Sequence, residues 1–332
     1  MKKRLLFVAV SAAAAIFVLA FAACGGDDEG EQAGGEGQQE TYDITLLQGV
    51  RGDEFYITMA CGVEDAAGEL GANVSIQGPE EFDPSQQIPI LNAIIAERPD
   101  ALLIAPTDTQ ALIAPMQQAK DAGITIIEVD TVVEQEDISV SKIATDNLEG
   151  GRTAARALAE LIDEQGSVLV VNVNPGISTT DQRQQGFEEE IENYPDIEYL
   201  GTEFSNNEPA RAASIVSATL AAEPDLAGIF GTNLFSAEGA ATGLRNAGAQ
   251  EQVSIVGFDA GPAQVAQLEE DLVQALVAQK PYDIGYQGVE QAIAALNGED
   301  VEPQIQTDLV TVTQENLEDP EIQEDVLYKA EC

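Results

Sequence analysis

Histidine and tryptophan are both absent from this sequence of 332 residues, and only 14 lysines and arginines stand against 59 aspartates and glutamates. The resulting formal charge of −45 would repel a phosphate backbone, so we predict no nucleic-acid partner. Without histidine the commonest general base and metal ligand are missing, and three cysteines are too few for a four-cysteine zinc site. We therefore predict neither a metal nor a cofactor. The 44% of hydrophobic residues and the length suffice for two domains.

The first residues have the pattern of a bacterial lipoprotein signal. Three basic residues at 2–4 precede a mainly apolar run over 5–23, and Cys24 follows two alanines. This resemblance implies a signal peptide over residues 1–23 and a lipid on Cys24, although Phe21 replaces the usual leucine. The alternative is an uncleaved membrane helix, because the apolar run is nearly long enough to span a bilayer.

A flexible tether is predicted over residues 24–41, because residues 25–40 are almost entirely glycine, glutamine, aspartate and glutamate. Loss of the three basic residues with the signal would shift the formal charge from −45 to −48. We attribute most of this acidity to the tether and the outer surface. With either reading of the first residues, the chain is placed outside the cytoplasmic membrane. We predict a lipid-anchored protein on the outer face of that membrane, in the cell envelope.

Two cysteines remain after lipidation, and in an extracytoplasmic protein two such residues are more often paired than free. We predict a disulfide between Cys61 and Cys332 that fixes the C-terminal segment to the first helix. The alternative is a pair of independent buried thiols.

From residue 42 onward, short apolar runs alternate with helical patterns. The runs that predict strands are 44–47, 74–76, 101–105, 124–129, 168–171, 198–201, 227–230, 253–256 and 272–277. Such alternation predicts parallel sheets with right-handed crossovers, and there are too many units for one sheet. The predicted fold class is therefore α/β, with two doubly wound parallel-sheet lobes.

Open parallel sheets bind ligands beyond the carboxyl ends of their strands, so the polar residues that follow predicted strands are the candidate site. They are 49–53, 107–108, 130–131, 174–178, 206–207, 232–233, Asp259 and Gln279. Amides, carboxylates, hydroxyls and glycines dominate this set. Neither a Walker-type loop nor the GxGxxG spacing occurs in it, so nucleotide binding has no support.

Eight segments of the chain form a recognisable set through their joint order and spacing. They are Gly-Asp-Glu-Phe-Tyr (52–56), Ile-Ala-Pro-Thr-Asp (104–108), Glu-Val-Asp-Thr (128–131), Ala-Thr-Asp-Asn (144–147), Arg-Gln-Gln-Gly-Phe (183–187), Phe-Gly-Thr-Asn (230–233), Val-Gly-Phe-Asp (256–259) and Ala-Gln (278–279). Together they resemble the periplasmic sugar-binding proteins of the ribose-binding type, the solute receptors of ABC importers. The resemblance covers about residues 44–309. It implies two lobes that close on a sugar and are joined by three chain crossings, near Thr145, Gln279 and Asp308.

These crossings predict the domain boundaries. The first lobe comprises residues 42–145 and 280–308. The second lobe comprises residues 146–279, together with the segment 309–332. The ligand would lie in the cleft between them.

The resemblance also implies roles for residues of the first lobe. Phe55 and Tyr56 would pack against the C–H faces of the sugar, and Asp53 would reach a hydroxyl group. Asp130 would accept hydrogen bonds from hydroxyl groups. Thr131 stands where ribose receptors carry an arginine, and Asp53 stands where they carry an asparagine. Alternatively, Phe55 packs only in the core and Asp130 only caps a loop.

On the second lobe, Arg183 would donate through its fork to two ligand oxygens, and Asp259 would accept from hydroxyl groups. Asn233 and Gln279 would each donate and accept. Asn207 stands where the family has another aromatic contact. Alternatively, Arg183 only forms a salt bridge on the acidic surface. One fewer cation and one fewer aromatic residue argue against ribose and favour another pentose, a ketose, a hexose or a polyol.

The predicted function is that of a monomeric solute-binding lipoprotein that captures a monosaccharide or polyol and delivers it to an ABC permease. An alternative uses the same site to present the ligand to a chemoreceptor or sensor kinase, or to capture a sugar-like quorum signal. Asp130 and Asp259 could also indicate a glycoside hydrolase. Both occupy sugar-contact positions of the family, however, so we predict that the protein is not an enzyme.

Overall fold

The computed structural model of the protein describes residues 41–332, so the predicted signal peptide, Cys24 and the predicted tether up to residue 40 lie outside the described residues. The strands of residues 41–332 are β1 (Asp43–Leu47), β2 (Asn73–Gln77), β3 (Ala101–Ile104), β4 (Thr125–Val129), β5 (Ser141–Thr145), β6 (Gly166–Asn172), β7 (Ile197–Phe204), β8 (Leu226–Gly231), β9 (Ser254–Phe258), β10 (Ala275–Ala278), β11 (Gln304–Thr307) and β12 (Val310–Val312).

The helices of the same range are α1 (Glu54–Leu70), α2 (Pro84–Glu97), α3 (Ile113–Asp121), α4 (Asn147–Leu161), α5 (Ser178–Ile191), α6 (Pro209–Ala222), α7 (Leu234–Ala247), α8 (Pro262–Glu269), α9 (Pro281–Leu296) and α10 (Pro320–Asp325). Within residues 41–332, no helix combines the length and the apolar character that a membrane crossing requires.

The strands form two six-stranded sheets with the same spatial order. The first sheet runs β11-β5-β4-β3-β1-β2, and the second runs β12-β10-β9-β8-β6-β7. All pairs are parallel except β10 with β12. Strands β3, β9 and β10 are almost entirely buried, as expected of parallel strands that helices cover on both faces. The predicted fold class of two α/β lobes with parallel sheets is confirmed, and the antiparallel edge strand β12 is an addition to it.

Helix starts follow from local capping. The side chain of Asp53 accepts a hydrogen bond from the Phe55 N–H at the start of α1, and the side chain of Asp146 caps α4 in the same way. At the end of α1, Gly71 adopts the left-handed conformation with φ of 76° that a C-terminal glycine permits. The first helix of the first lobe thereby begins directly at the candidate site.

The elements that the sequence patterns did not predict are short. Strand β5 has only five residues with alternating burial, and α10 has six residues. Helix α3 begins at Ile113, after a turn in which the Asp108 side chain accepts hydrogen bonds from the Gln110 and Ala111 N–H groups. The chain over residues 304–312 is divided between β11 and β12, which belong to different sheets.

The chain passes between the two sheets three times: after β5, after β10, and between β11 and β12. Thr145 at the end of β5 donates a hydrogen bond to the Gln279 side chain at 2.8 Å, and its hydroxyl lies 3.3 Å from that of Thr307. Residues of the three passages are therefore in direct contact. We keep the lobe boundaries given above as a prediction.

One pair of helices in each lobe crosses at two glycines. A Cβ atom on Gly186 of α5 would overlap the Leu148 carbonyl oxygen of α4, and one on Gly151 of α4 would overlap the Arg183 carbonyl oxygen. In the first lobe, Gly62 of α1 stands in the same relation to the backbone of α9. The absence of side chains lets the helix backbones touch, and in the second lobe this contact fixes the position of α5.

We expect Gly186→Ala to lower the free energy of unfolding by about 3 kcal/mol, because α4 and α5 must separate to admit the methyl group. Denaturant titration measures the change. Gly68→Ala is the control, since Gly68 is exposed within α1 and a Cβ there meets no atom. That control should leave stability unchanged or raise it by up to about 1 kcal/mol. Equal effects of the two substitutions would contradict the predicted role of the crossing.

Candidate functional site

A cavity lies between the lobes at the carboxyl ends of the parallel strands. The predicted ligand residues that line it are Asp53, Phe55, Tyr56, Asp130, Arg183, Asn207, Asn233, Asp259 and Gln279. Thr131 does not line it. Its hydroxyl is buried and donates a hydrogen bond to the Pro106 carbonyl oxygen at 2.7 Å, so it supports the loop after β4 and does not face the cavity.

The lobes touch each other at the rim of this cavity. The Thr109 N–H of the first lobe donates to the Gly176 carbonyl oxygen of the second at 2.9 Å. The Val132 N–H donates to the Ser178 hydroxyl, also at 2.9 Å. The structure therefore describes a closed cleft.

The first turn of α1 forms the aromatic wall of the cavity. Phe55 and Tyr56 are both buried, and their rings meet edge to face with centroids 5.1 Å apart. The Tyr56 hydroxyl donates to Oδ2 of Asp130 at 2.7 Å. Asp53 uses Oδ1 to cap the helix, which leaves Oδ2 for another donor. The wall therefore offers apolar ring surface together with one acceptor atom each from Asp53 and Asp130.

Two aspartates occupy equivalent places in the two lobes. Asp130 directly follows β4, and Asp259 directly follows β9, the fourth strand of the second lobe. Both have left-handed backbones, with φ of 63° and 78°. Each N–H donates to the adjacent strand, that of Asp130 to Ile143 and that of Asp259 to Val277. This uncommon conformation holds both carboxyl groups at the end of the sheet, and such strain is concentrated at functional sites.

The Asp259 carboxylate is engaged by three donors of the protein. Oδ1 accepts from the Gln279 side chain at 2.7 Å and from the Tyr328 hydroxyl at 2.9 Å, and Oδ2 accepts from the Leu234 N–H at 2.8 Å. Gln279 is in turn held by Thr145. Much of the acceptor capacity of Asp259 is thus used within the protein, which fixes the orientation of its carboxylate.

Arg183 is the cation of the site. It is only 2% exposed, its Nε donates to Asn147 at 2.8 Å, and its Nη1 donates to the Thr232 carbonyl oxygen at 2.9 Å. The guanidinium lies 3.8 Å from the ring centroid of Phe258. Neither contact involves Nη2, so its N–H groups remain for an oxygen in the cavity. The alternative of a surface salt bridge does not fit this burial.

Two amides of the second lobe complete the polar lining. The Asn233 side chain caps α7 by accepting from the Ser236 N–H at 3.1 Å, and it donates to Oδ1 of Asn207 at 2.7 Å. Asn207 has a left-handed backbone with φ of 60°. The pair is therefore held rigidly, and the amide nitrogen of Asn207 remains available to an acceptor.

Burial and neighbouring charges shift the pKa values of the ionisable side chains that line the cavity. Burial raises the pKa of Asp53 well above its usual range, and the charge of Asp259 adds to the effect. Burial also raises the pKa of Asp130 to about 6, although Arg183 and the Tyr56 hydroxyl oppose the shift. The pKa of Arg183 is lowered by burial, against the favourable charges of Asp259 and Asp130. Asp130 and Asp259 thus share one guanidinium.

We expect binding of a hydroxylated ligand to weaken about tenfold between pH 7.5 and pH 5, because a ligand hydroxyl must donate to ionised Asp130. Protonation below a pKa of about 6 removes that acceptor. Stability depends on pH in the opposite direction from binding. Folded Asp130 keeps its proton at pH values where the unfolded carboxyl has already lost it. This group therefore lowers the free energy of unfolding as the pH rises from about 4 to 6.

Calorimetric titrations at a series of pH values test this dependence on Asp130. Asp53 shifts in the same direction, so Asp130→Asn is the matched variant that separates the two groups. It should bind more weakly and lose most of the pH dependence. A wild-type affinity that is constant from pH 5 to 7.5 would refute the assignment of Asp130 as a ligand acceptor.

Four residues that the sequence reasoning missed also line the cavity, namely Phe82, Val173, Thr179 and Thr180, together with Ile177 of the candidate segment 174–178. Thr179 and Thr180 lie one turn before Arg183 on α5, so helical spacing from Arg183 was the available signal. The hydroxyl of Thr180 is buried and has no hydrogen-bond partner among residues 41–332. It is thus a polar group that a ligand can satisfy.

Within the described part of the chain, no group of three or more carboxyl or cysteine side chains could hold a metal ion. The residues that line the cavity offer hydrogen bonding, ion pairing and ring packing. These are the means by which sites for small polar molecules fix orientation and supply affinity.

Comparison with known proteins connects this geometry to a family. The sequence profile of the periplasmic binding protein domain matches residues 44–300. The ribose import binding protein RbsB of Bacillus subtilis is 26% identical over 278 residues, which cover 84% of this chain and 89% of that protein. The corresponding protein of Escherichia coli is 27% identical over 272 residues, with coverages of 82% and 90%.

Solved structures give the same relationship. An ABC transporter solute-binding protein from Agrobacterium vitis, bound with α-D-tagatopyranose, matches with a TM-score of 0.85 and 43% identity over 87% of this chain and 100% of that one. A carbohydrate transporter solute-binding protein from Agrobacterium radiobacter, in complex with D-arabinose, matches with a TM-score of 0.83 and 28% identity, over 87% and 99% of the two chains. The chain therefore belongs to the periplasmic binding protein domain family and is a member of the ribose-binding type.

Proposed function

We propose that this protein is an extracytoplasmic solute-binding protein that captures a monosaccharide or polyol in its cleft and delivers it to an ABC permease. The observation that carries the proposal is the cavity itself, which combines two aromatic rings from one lobe with a fixed guanidinium from the other. Its relatives support this reading, because they bind ribose, tagatose or arabinose. The proposal includes no catalytic step.

The ligand would be held from both lobes at once. Phe55 and Tyr56 would pack against its C–H face, while Asp53 Oδ2 and the free oxygen of Asp130 accept from its hydroxyl groups. On the other lobe, Nη2 of Arg183 would donate to a ligand oxygen. Because the two walls belong to different lobes, the ligand favours closure, and the contacts at the rim form in the closed state.

The ligand class follows from the composition of the walls. Three buried carboxyl groups and one guanidinium offer more acceptors than charged donors, which suits a ligand rich in hydroxyl groups. Thr131 supplies no second cation, and Asn207 supplies an amide in place of an aromatic ring. We therefore favour a ketose, a hexose, another pentose or a polyol over ribose.

We further propose that Cys24 carries a lipid, that residues 24–41 form the tether, and that the protein acts as a monomer on the outer face of the cytoplasmic membrane. The sequence pattern of the first residues supports the anchor. We also propose the Cys61–Cys332 disulfide, which the oxidising environment outside the cell and a Cα–Cα distance of 5.3 Å support.

The proposed function is tested by calorimetry and thermal-shift measurements with a panel of neutral sugars and polyols. D-tagatose, D-arabinose, D-fucose, D-allose and D-ribose form the core of the panel, because structures and names of relatives report these sugars. We expect at least one to bind with micromolar affinity or better and to raise the melting temperature. Binding of a different ligand class, with no response to any sugar or polyol, would overturn the proposal.

A further inference from the structure

Consecutive residues near the end of the chain bind to different lobes. The Tyr328 N–H donates to the Ala260 carbonyl oxygen of the second lobe at 3.0 Å. The next N–H, that of Lys329, donates to the Thr58 hydroxyl of α1 in the first lobe at 2.7 Å. Segment 328–332, which we call the strap, therefore passes from one lobe to the other outside the three crossings already described.

The strap ends on the first lobe. Cys332 is paired with Cys61 of α1, and the Lys329 ammonium lies 5.1 Å from the ring centroid of Tyr282 in α9. Before the strap, the chain is fixed to the second lobe through β12 and through a Gln314 side chain that donates to the Leu268 carbonyl oxygen at 2.7 Å. Its two ends are thus attached to different lobes.

Tyr328 connects the strap to residues that line the ligand cavity, although it does not line the cavity itself. Its side chain is only 5% exposed, and its hydroxyl donates to Oδ1 of Asp259 at 2.9 Å while accepting from the Gln279 N–H at 3.2 Å. Its ring meets the ring of Phe55 edge to face, with centroids 5.9 Å apart. One residue outside the cavity thus contacts three residues that line it.

We propose that the strap is a fourth connection between the lobes, in which Tyr328 positions Asp259 and Phe55 for the ligand and the Cys61–Cys332 pair keeps Tyr328 in place. The inference rests on the proposed sugar site. A buried aromatic side chain needed only for packing would not require a hydroxyl bonded to a carboxylate and a backbone amide of the same site. Tyr328 is therefore a positioning residue.

The covalent attachment also affects the opening of the cleft. Tyr328 is bonded to the second lobe, whereas the disulfide and the Lys329 N–H hold the strap on α1, so separation of the lobes at this place lengthens or breaks hydrogen bonds at one end of the strap or the other. Opening then loses hydrogen bonds at the back of the cleft in addition to those at the rim. The strap consequently slows release of the ligand and restrains the open state.

The role of Tyr328 is tested with Tyr328→Phe, which keeps the ring and removes the hydroxyl. We expect the Kd for the sugar to rise about tenfold, the effect of one hydrogen bond to a charged group. Tyr199→Phe is the matched control, because the Tyr199 hydroxyl donates to Glu188 away from the cavity. It should change the Kd less than twofold. An unchanged Kd in Tyr328→Phe would overturn the proposal.

A double-mutant cycle distinguishes positioning from general stability. If Tyr328 acts through Asp259, Tyr328→Phe should change the Kd less than twofold in an Asp259→Asn background, although it costs about tenfold in the wild type. A full tenfold effect in both backgrounds would show that Tyr328 does not act through Asp259. If wild-type protein binds no sugar at all, the proposed function fails, whereas normal wild-type binding with a silent Tyr328→Phe rejects only the strap.

The role of the Cys61–Cys332 disulfide in the strap is tested by the rate at which labelled sugar dissociates from the protein after dilution. Cys332→Ser and reduced wild type should both release the sugar several-fold faster than oxidised wild type. Reductant should not change release from Cys332→Ser, which excludes a side effect of the reagent. Reductant on the folded wild type keeps the test valid if the substitution impairs folding. Equal release rates for oxidised and reduced wild type would refute the restraint.

Discussion

Arg183→Ala is expected to weaken sugar binding at least about 100-fold, the largest loss of affinity from a single substitution in this site. The side chain is the guanidinium of the cavity, and its Nη2 is the charged donor left for the ligand. Its removal also leaves Asp130 and Asp259 without their cation. We therefore expect a second effect, a fall of about 3 kcal/mol in the free energy of unfolding.

Calorimetry and denaturant titration separate these two effects of Arg183. Arg183→Lys retains a charge but cannot reproduce the contacts of Nε and Nη1 together, so it should recover part of the stability and little of the affinity. Arg156→Ala is the control for the loss of an arginine from the same lobe, since Arg156 lies at the surface and pairs with Glu149. Wild-type affinity in Arg183→Ala would show that the ligand binds elsewhere.

Removal of the Cys61–Cys332 disulfide is expected to have the largest effect on stability, a loss of up to about 5 kcal/mol in the free energy of unfolding. The bond links residues 271 positions apart, so it restricts the unfolded chain over nearly all of the described length. A cross-link that closes so long a loop removes much of the conformational freedom of the unfolded state.

Denaturant titration of the Cys61→Ser/Cys332→Ser double variant measures this contribution. Reduced wild type should match the double variant, and the double variant should not respond to reductant. A thiol count provides an independent check, since native protein should show both thiols only after reduction. Two free thiols in protein that has not been reduced would contradict the pairing and leave the strap without its covalent attachment.

The parts of the fold that the sequence predicted are those with local signals. Buried parallel strands have continuous apolar runs, and α1 begins at a capping aspartate and ends at a glycine. The site residues could be predicted from the sequence for the same reason, because polar residues directly after such strands meet at one edge of the sheet. Asp130 and Asp259 were found in this way, and the left-handed backbones of both could not be read from composition.

The parts that escaped prediction depend on contacts between distant segments. Tyr328 lies 69 residues from Asp259 in the sequence, and no periodicity connects the two. Phe82 reaches the cavity from a loop with no regular pattern. Thr131 is the opposite case, a residue that was predicted to line the site and does not. It directly follows a strand, but its hydroxyl donates to the Pro106 carbonyl oxygen and does not face the cavity. The position of a residue in the sequence thus indicates that it could belong to the site, but tertiary packing decides whether its side chain faces the cavity.

The common strand order of the two sheets shows that the two lobes are built on the same plan. In each lobe, two helices cross at a pair of glycines. The Arg183 carbonyl oxygen of α5 faces Gly151, and the Met59 carbonyl oxygen of α1 faces Gly285 in the same way, so Arg183 and Met59 occupy equivalent positions. Met59 is completely buried in the core. At this equivalent position, one lobe thus carries an apolar residue and the other carries the cation of the cavity. The same helix position therefore contributes to the core in one lobe and to the ligand cavity in the other, which gives the cleft two chemically different walls.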